Sequence, residues 1–264
     1  GFRGLRKDFG AITLPATCVY NINCANGTGG AFDHATNSEF DAFTVGANGN
    51  GDIAGDYVEF KGAVSLGASA ELEFSDQTQF ESTFTMGTSA GNHIVFLDES
   101  DWDGAVAFNG DATVNLGGNA DFSAAVSLAG SADMVFINTS TPTVNASGLW
   151  TLAGSATMDI GNGNAGPWTF DAGSEIDLAA SSSVNVNPGA SNFNINDVDI
   201  NGNATITLTH TGTTSFNDIV DIATGVTGIF ANSGGGTVST SGIWTLNGTG
   251  SANIGNGSAG AWTM

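Results

Sequence analysis

The chain has almost no positive charge: 4 Lys and Arg stand against 26 Asp and Glu in 264 residues, a formal net charge of −22. A surface of that sign repels nucleic acid and anionic lipid, so neither is an expected partner. Cysteine is nearly absent too. Cys18 and Cys24 are too few for a disulfide framework, and without neighbouring His or further Cys they do not make a zinc site. Six residues apart in a Gly/Asn-rich segment, they admit one small disulfide loop. No apolar run approaches the length of a membrane-spanning helix, about 18 residues, and the start lacks the apolar stretch of a secretory leader. Membrane insertion is therefore not expected. Charged residues of all kinds make up only 11%, far too few for a helical protein rich in Glu, Lys and Arg.

What is abundant is glycine, 39 residues of it, together with Ser, Thr, Asn and Ala. These fill short segments in which apolar and polar residues alternate, the period of a half-buried β-strand. Val126-Ser-Leu-Ala-Gly-Ser-Ala-Asp-Met-Val-Phe136 returns almost unchanged as Trp150-Thr-Leu-Ala-Gly-Ser-Ala-Thr-Met-Asp-Ile160. Aligning on the first apolar position gives a ladder through Val64, Phe84, Val106, Val126, Trp150, Trp168, Val198, Val220, Trp244 and Trp262. Most steps are 20 to 24 residues, with two of 18 and one of 30. Such spacing belongs to stacked repeats, in which each unit buries its face on its neighbours. A longer period overlies it: Ser147 to Thr169 recurs 94 residues later as Ser241 to Thr263. The expected fold is all-β, an elongated solenoid or trimeric β-fibre shaft over residues 57–264, continuing beyond position 264. An aromatic residue four positions before several rungs, as in Phe60 before Val64 and Phe216 before Val220, is read as a core knob.

Residues 1–56 do not follow the ladder and are expected to form a small non-repetitive N-terminal head. Arg3, Arg6 and Lys7 lie there, interleaved with Phe2, Leu5 and Phe9, so the positive charge is gathered at one apolar tip. These six residues are the candidate docking segment. The opening glycine suits a chain whose initiator Met has been trimmed, made in a cytoplasm and placed by assembly. Asn48-Gly-Asn-Gly-Asp52 with Asp56 has the oxygen-rich, glycine-rich composition of a calcium turn without the full repeated motif, so Ca²⁺ is the one ion considered and no cofactor is expected.

Other motifs weigh against catalysis. Gly161-Asn-Gly-Asn-Ala-Gly166 lacks the Lys-Ser/Thr and following helix that hold phosphate, and reads as a turn. His34, His93 and His210 are isolated in sequence, and no Gly-x-Ser-x-Gly elbow occurs. Asp98, Glu99, Asp101 and Asp103 read as a solvated acidic connection rather than a carboxylate pair. The chain is expected not to be an enzyme.

Units such as Asp121-Phe-Ser-Ala-Ala-Val126-Ser-Leu-Ala-Gly-Ser-Ala132 and Asp101-Trp-Asp-Gly-Ala-Val106-Ala-Phe-Asn-Gly-Asp-Ala-Thr-Val114 resemble the shaft repeats of bacteriophage fibre proteins. The resemblance covers about residues 57 to 264 and is one of pattern and composition; secreted bacterial β-solenoid adhesins show comparable alternation. It implies a non-enzymatic homotrimeric virion fibre, anchored to the particle by its N-terminus and presenting host-attachment parts distally, to surface glycans or another receptor. The alternative is a secreted surface adhesin.

Overall fold

The computed structural model describes residues 7–14, 19–23, 37–54, 57–74, 77–88, 91–179, 181–255 and 261–263. Among these there is no helix. Every third strand pairs with the next, all in parallel, giving three stacked sheets of 12, 11 and 11 strands. The chain is a parallel β-solenoid. One coil shows why. Ser100–Trp102, Val106–Phe108 and Ala112–Leu116 are three short strands in which inward and outward residues strictly alternate, and tight corners separate them. Each sits in register on the next coil: Trp102 on Phe122, Val106 on Val126 and Val114 on Phe136. We call the sheets containing these three strands A, B and C.

Because a one-residue slip would turn every apolar side chain outward, the period-two pattern fixes this register. The core is an axial column. On sheet A the rings of Phe40, Phe60, Phe80, Trp102 and Phe122 stack coil upon coil, with successive centroids 5.1, 5.1, 4.5 and 5.3 Å apart. Ala146 follows at the same inward position, and the space is taken by Trp150 from sheet B, edge-on to Phe122 at 5.2 Å. The knobs expected four residues before a rung are thus the last inward residues of sheet A, facing the first of sheet B across a corner. At those corners the backbones of adjacent coils nearly touch. A Cβ on Gly104 would lie 1.8 Å from the Ser82 carbonyl oxygen, and one on Gly148 would lie 2.1 Å from that of Ala124.

The ladder is right through Trp150 and then changes sheet. Val106, Val126, Trp150, Val198 and Val220 are buried rungs of sheet B, whereas Trp168 is a buried residue of sheet A between Val144 and Phe193. The true successor of Trp150 is Ile176, which then leads to Val198. Trp262 likewise belongs to sheet A, on Val238. The 18- and 30-residue steps were therefore jumps between sheets. With this register the 94-residue period is four coils, from Trp150 through Ile176, Val198 and Val220 to Trp244. Trp244 and Trp262 point inward on the last strands of their sheets and are only partly buried.

The stacking also begins before residue 57. Asn37–Phe40, Phe43–Val45 and Asn50–Ala54 each pair in register with the following coil, and the backbones of Lys7–Phe9, Ile12–Leu14 and Val19–Asn23 pair beneath them. In place of a separate head, the strands of this region continue the solenoid. Phe40 and Phe43 are three residues apart where Phe60 and Val64 are four, so the shorter corner hid the repeat. The trimer expectation rested on a core too thin for one chain. The inner coils instead close their own core: Phe60, Phe84, Phe108, Phe136 and Leu152 are fully buried within the single chain.

Candidate functional site

With the interior sealed, any function is carried by the three outer faces, where parallel strands place like positions about 4.8 Å apart in straight rows. On sheet A one row runs Glu39, Glu59, Gln79, Asp101, Asp121 and Asn145. One cation and several neutral amides partner its carboxylates. Lys61 reaches Glu39 at 3.4 Å and Glu59 at 3.7 Å, and the Asn145 amide donates to Asp121 at 2.6 Å. Gln77 donates to Glu99 and Gln79 to Asp103, at 2.9 and 2.6 Å. Burial and the charges of Glu99, Asp121 and Asp103 push the Asp101 carboxyl above its usual range. Beside it, burial and the surrounding carboxylates push the Tyr57 phenol up to about 12, and its hydroxyl bonds to Gln79. Asp101 thus lies within a strand of the expected acidic connection, while Asp98 and Glu99 precede it.

Sheet C carries a shallow cavity of about 250 Å³ lined by Asn50, Asp52, Glu71, Leu72, Glu73, His93 and Val95. Asn50 donates to Glu71 at 2.6 Å, and His93 lies 3.1 Å from the Asn115 amide nitrogen. Part of the suggested calcium turn therefore sits here, with Asn48 in a left-handed conformation at φ 54°; Asp56 lies outside the described residues. Among the described residues no three His, Cys, Asp or Glu side chains converge as metal ligands. His210 is buried with its Nε2 2.7 Å from the Thr214 hydroxyl, and burial holds it below the usual histidine value.

Sheet B is divided along its length. Outward positions Thr44, Ser65, Thr85, Ala107, Ser127 and Thr151 are small and uncharged, and the next three rungs of that row are Asp177, Asp199 and Asp221. The adjacent row places Glu175 on Leu149 and Asp197 on Glu175. Ile219 and Ile243 follow, each carbonyl accepting the amide of the residue after the previous rung, Val198 and Val220. The acidic block is thus bounded by exposed Leu149 on one side and exposed Ile219 and Ile243 on the other. Burial, then neighbouring carboxylates, raise Glu175 and Asp199 above the ordinary range; Glu175 also shares a hydrogen bond with Asp199 that favours its protonated form. Burial raises Asp197 as well, against a backbone amide that lowers it and with the charges of Asp218 and Asp221 adding to the rise.

Of the sequence-derived docking residues, Phe2, Arg3, Leu5 and Arg6 lie outside the described residues, as do Cys18 and Cys24. Lys7 and Phe9 belong to the first strand of sheet A. The sheet B face was missed, though its signal was present: Glu175-Ile-Asp177 and Asp197-Val-Asp199, spaced 22 residues apart, alternate acid and apolar in register. No model of a known protein family matches the chain, and neither the curated proteins nor the solved structures contain a match.

Proposed function

We propose that this protein is a non-enzymatic structural fibre, a rigid shaft of a virus particle whose N-terminal segment docks to a particle component and whose far end is carried toward the host surface. The observation that carries the proposal is the unbroken in-register stacking of three sheets around a sealed apolar column. Such a body conveys length and stiffness and turns mostly polar rows outward. The net charge of −22 keeps copies from clumping indiscriminately and leaves the basic, aromatic tip as the distinctive docking element. Three copies per fibre remain the proposed number. As the inner coils are closed by their own chain, the copies would meet through outer faces, and light scattering on the isolated protein reads their number.

Closure of the core within one chain also favours a second reading, a secreted single-chain adhesin. Recovery of a cleaved precursor at a cell surface would decide for it. The particle reading is tested by removing residues 1–9 and measuring occupancy on purified particles. The truncated chain should keep its β-sheet signal and be missing from particles; normal occupancy would overturn the anchoring role.

A further inference from the structure

We infer that the basic, apolar N-terminal segment of one copy docks on the acidic stretch of sheet B of a second copy. The inference rests on the reading of that segment as a docking arm and gives it a partner within the fibre. Four observations converge.

First, Glu175, Asp177, Asp197, Asp199 and Asp221 form an acidic block that no Lys or Arg of its own chain neutralises: Lys61 is the one such residue beyond position 7, and it pairs with Glu39 and Glu59 on sheet A. Beyond the hydrogen bond between Glu175 and Asp199, the side-chain partners of the block are neutral, Asn201 donating to Asp177 at 2.9 Å and Asn247 donating to Asp221. Stacked like charges on adjacent strands oppose the fold, so a sequence that keeps them at five positions retains a cost that an arriving cation removes. Second, the block is bounded by Leu149, Ile219 and Ile243, three of the five exposed large apolar side chains among the described residues. A purely solvating acidic face would not carry that border. Third, the arm has the matching composition: Phe2, Arg3, Leu5 and Arg6 alternate apolar and guanidinium groups. Arg forks bind carboxylates in pairs, and the apolar residues supply the anchors.

The fourth observation sets the partner as a second copy. Arg3 is four residues from Lys7, which stands in the first coil, so its Cα reaches no further than about 14 Å from that coil. Glu175 stands seven rungs along sheet B from the first coil, about 34 Å away at the usual strand spacing. An arm cannot reach the acidic stretch of its own solenoid. A contact between two unlike surfaces is heterologous and passes from copy to copy unless its rotation closes a ring, a mode of growth suited to a fibre.

Sedimentation of the full chain over a range of concentration tests the inference. Self-association should weaken steeply as salt rises, because the pairs are at an exposed rim. Arg3→Glu with Arg6→Glu, or Glu175→Gln with Asp197→Asn and Asp199→Asn, should each weaken it by at least about tenfold. The second set should at the same time raise the melting temperature, since it removes stacked like charges; a merely structural role moves both readouts the same way. Mixing the tip-reversed chain with a Glu175→Lys, Asp197→Lys, Asp199→Lys chain should restore a mixed complex that neither forms alone. Unchanged association in the amide variant, or no rescue in the mixture, overturns the inference. An intact chain that never self-associates but still occupies particles through residues 1–9 overturns it while leaving the fibre reading standing.

Discussion

Replacing Trp102 by Ala probes the ring column where its stacking is closest. Trp102 is 1% exposed, lies 4.5 Å from Phe80 and 5.3 Å from Phe122 in the stack, and takes Phe84 and Phe96 edge-on at 4.9 and 5.4 Å. Truncating a buried Trp costs about 3–5 kcal/mol. The upper end applies here, because the surrounding rings hang from laddered strands that cannot collapse into the gap. The indole N–H also donates to the buried Ser100 hydroxyl at 3.2 Å, and orphaning that group adds about 1 kcal/mol. A total of about 5 kcal/mol is expected, read by denaturant unfolding, with hydrogen-exchange protection falling first in the two flanking coils. Trp102→Phe keeps the stack and loses the hydrogen bond and part of the buried area, so about 1–2 kcal/mol is expected. If Trp102→Ala costs less than about 1.5 kcal/mol, or no more than the Phe variant, the column is not what holds the coils together.

Gly104→Ala places a methyl group against the Ser82 carbonyl and should destabilise by at least about 2 kcal/mol, whereas Ala124→Gly at the equivalent corner one coil on should cost under about 1 kcal/mol; thermal melts compare them. Asp199→Asn should stabilise by about 0.5–1 kcal/mol at neutral pH, since it removes charge between Asp177 and Asp221. The Glu175 and Asp199 carboxyls are raised in the fold, so their favourable state is the protonated one: its contribution is full below the ordinary carboxylate value and is lost as pH rises through the raised values. The gap between Asp199→Asn and the parent chain should therefore close as pH falls from 7 toward about 4. His210 works in the opposite sense, its value being lowered by burial, so His210→Gln should remove a loss of stability that sets in below the usual histidine value, monitored by urea titrations at several pH values.

Much of this architecture could be read from the residues, because period-two alternation encodes a strand face directly and a 20- to 24-residue recurrence encodes a coil. Val106, Val126 and Trp150 were placed correctly for that reason. The slip at Trp168 has an equally physical cause. Trp150-Thr-Leu and Trp168-Thr-Phe present the same inward-outward-inward pattern, so alternation alone cannot say which of the three sheets a strand joins. Only coil closure does, and here Asn138, whose side-chain oxygen accepts the Trp168 indole N–H at 3.4 Å, helps to place the ring in sheet A. The coil beginning at Asn37 escaped notice because its corner is one residue shorter. The acidic face of sheet B escaped because five carboxylates scattered over 47 residues become neighbours only once the rungs are stacked.

The account depends above all on a straight stack of parallel coils, and spin labels on the outward row of sheet B measure that directly. Ser65, Thr151 and Thr245 stand on this row at four-rung intervals. At the usual strand spacing, pulsed electron paramagnetic resonance should give about 19 Å for Ser65 to Thr151, the same for Thr151 to Thr245, and about 38 Å for Ser65 to Thr245. Two equal short distances that sum to the long one establish the rod. A Ser65 to Thr245 distance well short of that sum, or unequal halves, would contradict it.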